Sequence, residues 1–306
     1  MPRVSIVTPF LDAEPFLAQA IDSVRAQTVP DWELLLVDDG ARDGSRAVAE
    51  AAAAEDPRIR LLPAPAGPEG PAAARNRGLA AAGGEFVAFL DADDRLEPAM
   101  LAVTLDVLER RPDVAMVYGP TVWWHPDDPA RDWTEPMDGR AGRVFPPPRL
   151  LVDVLLLQDG QVPCIGSVLV RRTALEAVGG FEESLRLYED QTLWVKLFLR
   201  FPIAVVAEPL SRYRQHPASA SAAAAAAGLY RRTGEHPARA AFLDWVGRHL
   251  EEAGDVAPAV RRALALARSP YREDASLAGR LLRFRFRLLR AWHRRRRRLR
   301  RRLGFG

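Results

Sequence analysis

Four apolar residues in a row, Leu34-Leu35-Leu36-Val37, run straight into Asp38-Asp39-Gly40. A strand with no polar alternation is buried on both faces, and ordinary domains achieve that with a parallel sheet covered by helices. The flanking sequence fits the same design, since β-type runs at 4–8, 33–37 and 58–62 alternate with helical patterns at 14–27 and 45–55. The first of those helices places Phe16, Leu17, Ala20, Ile21 and Val24 at helical spacing. A helix over 72–82, a strand at 86–90, a helix at 98–110 and a strand at 114–118 extend the series. A strand at 165–170 and a helix at 189–200 close it. Residues 120–149, rich in proline, tryptophan and acids without a clear period, read as long loops that shape a binding cleft. The expected fold class is α/β, with a mostly parallel central sheet flanked by helices. Residues 219–227, nearly all alanine and serine, mark a boundary, either a linker or a helix start, and residues 229–303 read as a helical extension.

The chain of 306 residues has room for one α/β domain and an appendage. Nothing in it approaches the ~18 uninterrupted apolar residues of a membrane span. Met1-Pro2-Arg3-Val4-Ser5 enters a strand-like run without a basic segment and apolar signal core, so a cytoplasmic location is expected. The single cysteine, Cys164, offers no intrachain disulfide and no zinc site, and is expected to be a small buried side chain. The net charge of +3 conceals an asymmetry. Residues 275–306 contain 13 arginines and no acid, which leaves 30 basic against 40 acidic residues, a net −10, in the rest. The basic character is local to the tail, where it implies an anionic partner.

Open α/β sheets bind ligands beyond the carboxyl ends of their strands. The first predicted strand ends in Thr8-Pro9, the second in Asp38-Asp39-Gly40, and the run Phe86-Val87-Ala88-Phe89-Leu90 leads into Asp91-Ala92-Asp93-Asp94. A single aspartate in such a place reads equally as a turn or helix cap, as Asp38 and Asp43 do. Three together repel each other, and the usual reason to collect them is a hard divalent cation, Mg²⁺ or Mn²⁺, bridging phosphate oxygens.

In this order, Val4-Ser5-Ile6-Val7-Thr8-Pro9, Leu36-Val37-Asp38-Asp39-Gly40, Ala74-Arg75-Asn76-Arg77-Gly78, the Asp91–Asp94 cluster, Gly179-Gly180-Phe181 and Glu189-Asp190 resemble the family 2 glycosyltransferases over roughly residues 3–221. The resemblance implies an A-type nucleotide-sugar fold in residues 1–221, with residues 222–306 as the helical extension. It implies that Thr8, Pro9, Glu14, Asp38 and Asp39 line the nucleoside pocket and that Arg75 approaches the same nucleotide. Asp91 and Asp93 would form the family's "DXD" element, Asp93 being the expected metal ligand. Asp190 matches the base position of an inverting transfer, with Glu189 orienting the site; read without the family, Asp190 is as easily the cap of its helix. Trp194, one turn on, suits either a sugar ring or the core of an amphipathic helix. Pro163-Cys164-Ile165-Gly166-Ser167 matches the border of the acceptor site, or a plain strand-turn-helix. Tyr213-Arg214-Gln215-His216-Pro217-Ala218-Ser219 resembles the mobile closing loop, where Arg214 and His216 would contact the diphosphate or its metal. Asp12 stands where asparagine is common, and Ala41-Arg42 replaces a serine-threonine pair, which leaves the choice of nucleotide open.

In the tail, Leu277, Leu281, Phe284, Leu288 and Trp292 recur every three or four residues, with Leu282, Phe286 and Leu289 broadening the stripe and arginines on the other face. That pattern implies an interfacial helix at an anionic membrane, at the inner face if the chain is cytoplasmic. A helix packed on the acidic body is the other reading. Nucleic acid is disfavoured, because the remainder is acidic and no recognised binding motif accompanies the tail. The expected activity is inverting transfer of a sugar from a nucleotide donor to a glycan or lipid-linked acceptor, in cell-surface polysaccharide synthesis. A nucleotidyltransferase of related fold and a non-catalytic membrane-associated scaffold are the competing readings.

Overall fold

A computed structural model describes residues 2–231, 234–254, 256–272 and 276–302. The first half alternates as expected: β1 (Val4–Phe10), α1 (Glu14–Arg25), β2 (Trp32–Asp38), α2 (Ser45–Glu55), β3 (Ile59–Leu62), α3 (Pro71–Ala81) and β4 (Phe86–Phe89). After it come β5 (Arg95–Leu96), α4 (Met100–Arg110), β6 (Met116–Tyr118), β7 (Thr121–Trp124), β8 (Trp133–Thr134) and β9 (Arg143–Phe145). The chain continues through β10 (Val168–Arg171), α5 (Arg172–Val178), α6 (Glu189–Arg200), β11 (Ile203–Val205) and β12 (Ser211–Arg214). Helices α7 (Ala220–Ala226), α8 (Pro237–Glu252), α9 (Pro258–Arg268) and α10 (Leu277–Arg302) follow.

The main sheet has eight strands in the order β3-β2-β1-β4-β10-β6-β11-β9. Only β10 and β9 run against the others, β10 between β4 and β6 and β9 on β11, so the sheet is mixed but mostly parallel. Strand β2 is buried throughout, and its alternate residues feed two cores: Leu34 and Leu36 pack with α1, α2 and α4, Leu35 and Val37 with α3, α5 and α6. That two-sided burial is what the unbroken apolar run dictates. Helix α3 lies so close to the sheet that a Cβ on Gly78 would sit 2.3 Å from Val7, so only glycine fits there. Phe242, Trp245 and Val260 of α8 and α9 join the same core as Trp194 and Phe198 of α6.

The segment 120–149 departs from the loop expectation. It supplies the edge strand β9 and two strands of a second sheet, β5-β12-β7-β8. Strands of two to four residues are too short to show periodicity, and β7 finds its partner β12 about ninety residues away. The expected strand at 165–170 opens instead with a 3₁₀ turn, Ile165–Ser167. Cys164 is half-buried and not a core residue.

The tail is one helix, but its apolar residues divide between two faces. Phe286 and His293 are buried against the body, where α10 packs on α9 and the turn Ser269–Tyr271. Leu282 and Leu289 are half-buried on that side. Leu277, Leu281, Phe284, Leu288 and Trp292, by contrast, are 53–67% exposed. The expected single broad stripe is thus corrected to a docked stripe and an exposed one. Ala275 and residues 303–306, which the tail expectation includes, lie outside the described residues.

Candidate active site

Strands β1, β2 and β4 end at one sheet edge, where Thr8, Asp38 and Asp91 come together in three adjacent strand ends. Asp38 is buried and spends Oδ1 on the Gly40 and Ala41 N–H groups, both at 2.9 Å. Asp39, also buried, accepts from the N–H groups of Glu69 and Gly70 and from Arg77 at 3.3 Å. These two aspartates therefore hold the loops that wall the edge, and the turn role of a lone aspartate is realised in both. Thr8 presents a buried hydroxyl with no hydrogen-bond partner, an atom whose desolvation a ligand would offset. Pro9 is half-buried beside it, and Glu14 is exposed at the start of α1, accepting from the Gly44 N–H at 3.0 Å.

The acidic cluster follows β4. One ligand atom from each of Asp91, Asp93 and Asp94 lies within 4.8 Å of the others. Asp94 is buried and accepts from the Arg214 backbone N–H at 2.8 Å, while Asp91 and Asp93 remain partly open. Burial, and then the charge of Asp91, raise the Asp93 carboxyl above its ordinary range against the pull of His216. Asp94 is pushed up further, by burial and then by Asp93 and Asp91. An all-oxygen donor set whose carboxylates still repel one another fits a hard divalent cation, which Asp91 and Asp93 would hold.

The expected closing segment is folded over this cluster. Arg214 donates from Nε to the Asp93 carbonyl at 2.7 Å and from Nη2 to Gln19 at 2.9 Å. Its guanidinium lies 4.1 Å from the Trp124 ring and 5.0 Å from the Phe16 ring. His216 Nε2 lies 3.0 Å from Asp93 Oδ2, with its ring against Phe16. Trp124, Phe16 and Gln19 are the supports the sequence reading missed. No local pattern marks them, because each acts through a residue far along the chain.

A single buried guanidinium links this cluster to the second acidic group. Arg75 of α3 donates to Asp91 at 2.6 Å and to Glu189 at 3.2 Å. Burial works against its charge, but Asp91 and then Glu189 outweigh that and raise its pKa. Its charge is therefore spent on two carboxylates, not aimed freely at a nucleotide. Asp190 follows Glu189 on the first turn of α6, whose N-cap is Tyr188. The capping alternative for Asp190 thus gives way, although its Oδ1 does accept from the Gln191 N–H at 2.7 Å. Asp190 is half-buried and hemmed in by protein. Burial, and then Glu189, push its pKa up to about 7, with the Gln191 N–H and Arg75 opposing.

Tyr188 has a left-handed backbone, φ 70°, which a non-glycine residue holds only under tertiary constraint. Its ring stacks on Phe242 at 5.0 Å and its hydroxyl lies 3.2 Å from His236 Nε2, so the helical extension buttresses the residue before the acidic pair. Two residues expected on the acceptor side, Trp194 and Gly166, are buried. Trp194 is fully buried and donates to the Pro163 carbonyl at 3.1 Å, which makes it a core residue with no ring face for a sugar. Gly166 is buried where a Cβ would meet Ser211 at 3.4 Å, a packing position.

An α/β sheet with an acidic cluster at a central strand end, facing an acidic pair on a later helix, defines a protein of the A-type nucleotide-sugar fold. The family model for glycosyl transferase family 2 matches residues 5–179, and the chain belongs to that family. It is 30% identical over 222 residues to EpsJ, an uncharacterized glycosyltransferase of Bacillus subtilis, covering 72% of this chain and 63% of that one. It is 35% identical over 236 residues to RfbC, an O-antigen biosynthesis protein of Myxococcus xanthus, covering 74% of this chain but 17% of RfbC. The chain thus spans less than two thirds of either relative. Among solved structures, S. aureus TarS in complex with UDP-GlcNAc superposes with TM-score 0.61 at 16% identity, over 93% of this chain and 79% of that one. The mannosyltransferase PcManGT of Pyrobaculum calidifontis, in complex with GDP-Man and Mn²⁺, gives 0.53 at 19%, over 96% and 84%. The likeness to the last two establishes the fold.

Proposed function

We propose that this chain transfers a sugar, with inversion, from a nucleoside-diphosphate donor to an acceptor hydroxyl. The observation that carries the reading is the Arg75 bridge, which sets the cation-fitting cluster at Asp91 and the acidic pair at Glu189-Asp190 on either side of one guanidinium. Asp190, ionised, takes the proton of the acceptor hydroxyl as its oxygen bonds to the anomeric carbon and the bond to the phosphate oxygen breaks. The nucleoside diphosphate leaves with the electron pair of that bond. A divalent cation held by Asp91 and Asp93 would supply charge neutralisation for the leaving diphosphate, with His216 beside it. Thr8, Pro9, Glu14, Asp38 and Asp39 form the nucleoside end of the donor site, and Arg214 closes over its phosphate end. A nucleotidyltransferase would lack an acidic pair such as Glu189-Asp190 opening a later helix, which favours glycosyl transfer. The O-antigen relative supports a role in cell-surface polysaccharide synthesis. A panel of nucleotide sugars tested with Mg²⁺, Mn²⁺ and chelator should show one class that raises the melting temperature only with metal. No stabilisation by any nucleotide sugar would overturn the reading.

The tail supports attachment to an anionic membrane, at the inner face for a cytoplasmic enzyme. The exposed stripe of α10 is flanked by exposed Arg280, Arg285 and Arg287, while the docked stripe already anchors the helix to the body. No helix among the described residues is long and apolar enough to cross a bilayer, so the association would be peripheral. Apolar stripe and charge together suffice for reversible binding, and the charge part fades within a Debye length of about 8–10 Å. Co-sedimentation should therefore rise with the anionic lipid content of vesicles and fall with salt. Equal binding to neutral and anionic vesicles would show that the arginines serve another partner.

A further inference from the structure

The helix that carries the acidic pair does not fix its own start. Helix α6 begins after Tyr188 with no side-chain cap, and the backbone of that residue, φ 70° and ψ 15°, is left-handed where a helix N-cap is ordinarily extended. Residues 181–187 before it form neither helix nor strand. Yet the first turn hangs from Tyr188, whose carbonyl accepts the Thr192 N–H at 3.0 Å. The direction of Glu189 and Asp190 is therefore set by the hold on the Tyr188 side chain.

That hold comes from the helical extension. The Tyr188 ring stacks on fully buried Phe242 at 5.0 Å and 22°, and the guanidinium of buried Arg239 lies 5.9 Å from the ring centroid. Stacking fixes the plane of a ring but leaves it free to slide. The hydroxyl removes that freedom, because it meets His236 Nε2 at 3.2 Å. His236 is buried and is itself pinned as the N-cap of α8, with Nδ1 3.3 Å from the Arg239 backbone nitrogen and the ring 5.2 Å from that of Tyr230. A phenol both donates and accepts, so its bond to Nε2 persists in either neutral form of the imidazole.

We propose that Tyr188 and His236 are positioning residues for the transfer: their bond, between residues 48 apart in the chain, holds the first turn of α6 so that the Asp190 carboxylate meets the acceptor hydroxyl. Neither touches the reacting atoms. A base that must stay within hydrogen-bond reach of its proton loses rate steeply with small displacements. The helical extension is thus part of the catalytic apparatus and not only an appendage. This rests on the reading of Asp190 as the base of a glycosyl transfer.

The test measures release of nucleoside diphosphate by the full chain with Mn²⁺ and UDP-glucose, UDP-N-acetylglucosamine or GDP-mannose. The acceptors are water and the methyl pyranosides of glucose, galactose and N-acetylglucosamine. Tyr188→Phe, which keeps the stacked ring and deletes the hydroxyl, should lower the maximal rate about tenfold or more. The half-saturating donor concentration and the donor-induced rise in melting temperature should stay near the wild-type values. At position 236 the two tasks of the imidazole separate. His236→Asn keeps an N-cap but is too short to reach Tyr188, so it should lose rate as Tyr188→Phe does while melting like the wild type. His236→Gln reaches Tyr188 but caps poorly, so it should melt lower and yet recover most of the rate. Wild-type rates in both Tyr188→Phe and His236→Asn, rates at position 236 that follow the melting temperature, or a donor half-saturation that rises as much as the rate falls would overturn the positioning role. If Tyr188→Phe no longer responds to donor, the two variants at position 236 decide. Transfer by Asp190→Asn at the wild-type rate, or a wild type that turns over no donor, would instead remove the reading of the base beneath it.

Discussion

The acidic cluster after β4 and the acidic pair opening α6 face the same electrostatic problem and solve it differently. Both gather carboxylates in partly buried positions, and both lean on Arg75. In the cluster, Asp93 and Asp94 are raised by burial and by one another, and three oxygens within 4.8 Å suit a divalent cation. In the pair, Asp190 is raised to about 7 by burial and then by Glu189, so a proton is the natural counter-charge. In the proposed transfer the first repulsion would be met by a metal and the second by a proton, a division of labour that suits a displacement with a leaving diphosphate.

The strongest way to break this comparison is to remove the metal side alone. Asp93→Ala should abolish Mg²⁺- or Mn²⁺-dependent donor binding in calorimetry and lower transfer by a factor on the order of 10³ or more. An unchanged metal-dependent affinity would mean that the cluster is only a turn. Asp190→Asn should leave donor affinity near normal and lower transfer by a factor on the order of 10², because it deletes the proton acceptor and little else. Transfer at the wild-type rate would send the search for a base elsewhere.

The acidity of Asp190 sharpens the contrast. In the proposed transfer Asp190 acts as base when ionised, so the rate should fall about tenfold per unit as pH drops below about 7. The groups that face it are Glu189, Arg75, Asp91 and the Gln191 N–H. A profile flat down to pH 5 in the wild type would contradict the assignment. The smallest effect concerns stability. A carboxyl whose folded pKa exceeds its unfolded one makes the native state relatively more stable as pH falls toward the unfolded value and costs stability above the folded value. Asp190→Asn should therefore raise the melting temperature of the ligand-free protein at pH 8 by about 2 °C or more, with the advantage shrinking below pH 7. A lowered melting temperature at pH 8 would show that the charged form is well paired.

Periodicity and composition carry the parts of the site that lie within one element. The run Leu34-Leu35-Leu36-Val37 demands a sheet covered on both sides, and the sheet edge then gathers Thr8, Asp38 and Asp91. Arg214 and His216, expected at the diphosphate or its metal, lie against the acidic cluster. Trp194 was ambiguous for a physical reason: a tryptophan on an amphipathic helix looks the same whether its ring meets a ligand or a neighbour. Full burial and the bond to Pro163 decide for the neighbour.

The sequence by itself determined the class of fold, the order of its elements and the clustering of acids at strand ends, because each is a local statement about which side chains water will accept. The tertiary structure alone decided that Arg75 joins Asp91, sixteen residues away, to Glu189, 114 residues away. It also decided that α8 props Tyr188 through Phe242, that three aromatic residues align across a second sheet, and that the apolar residues of α10 divide between a docked and an exposed face. Such partnerships depend on which distant surfaces meet when apolar area is buried, and no short window of sequence contains both partners.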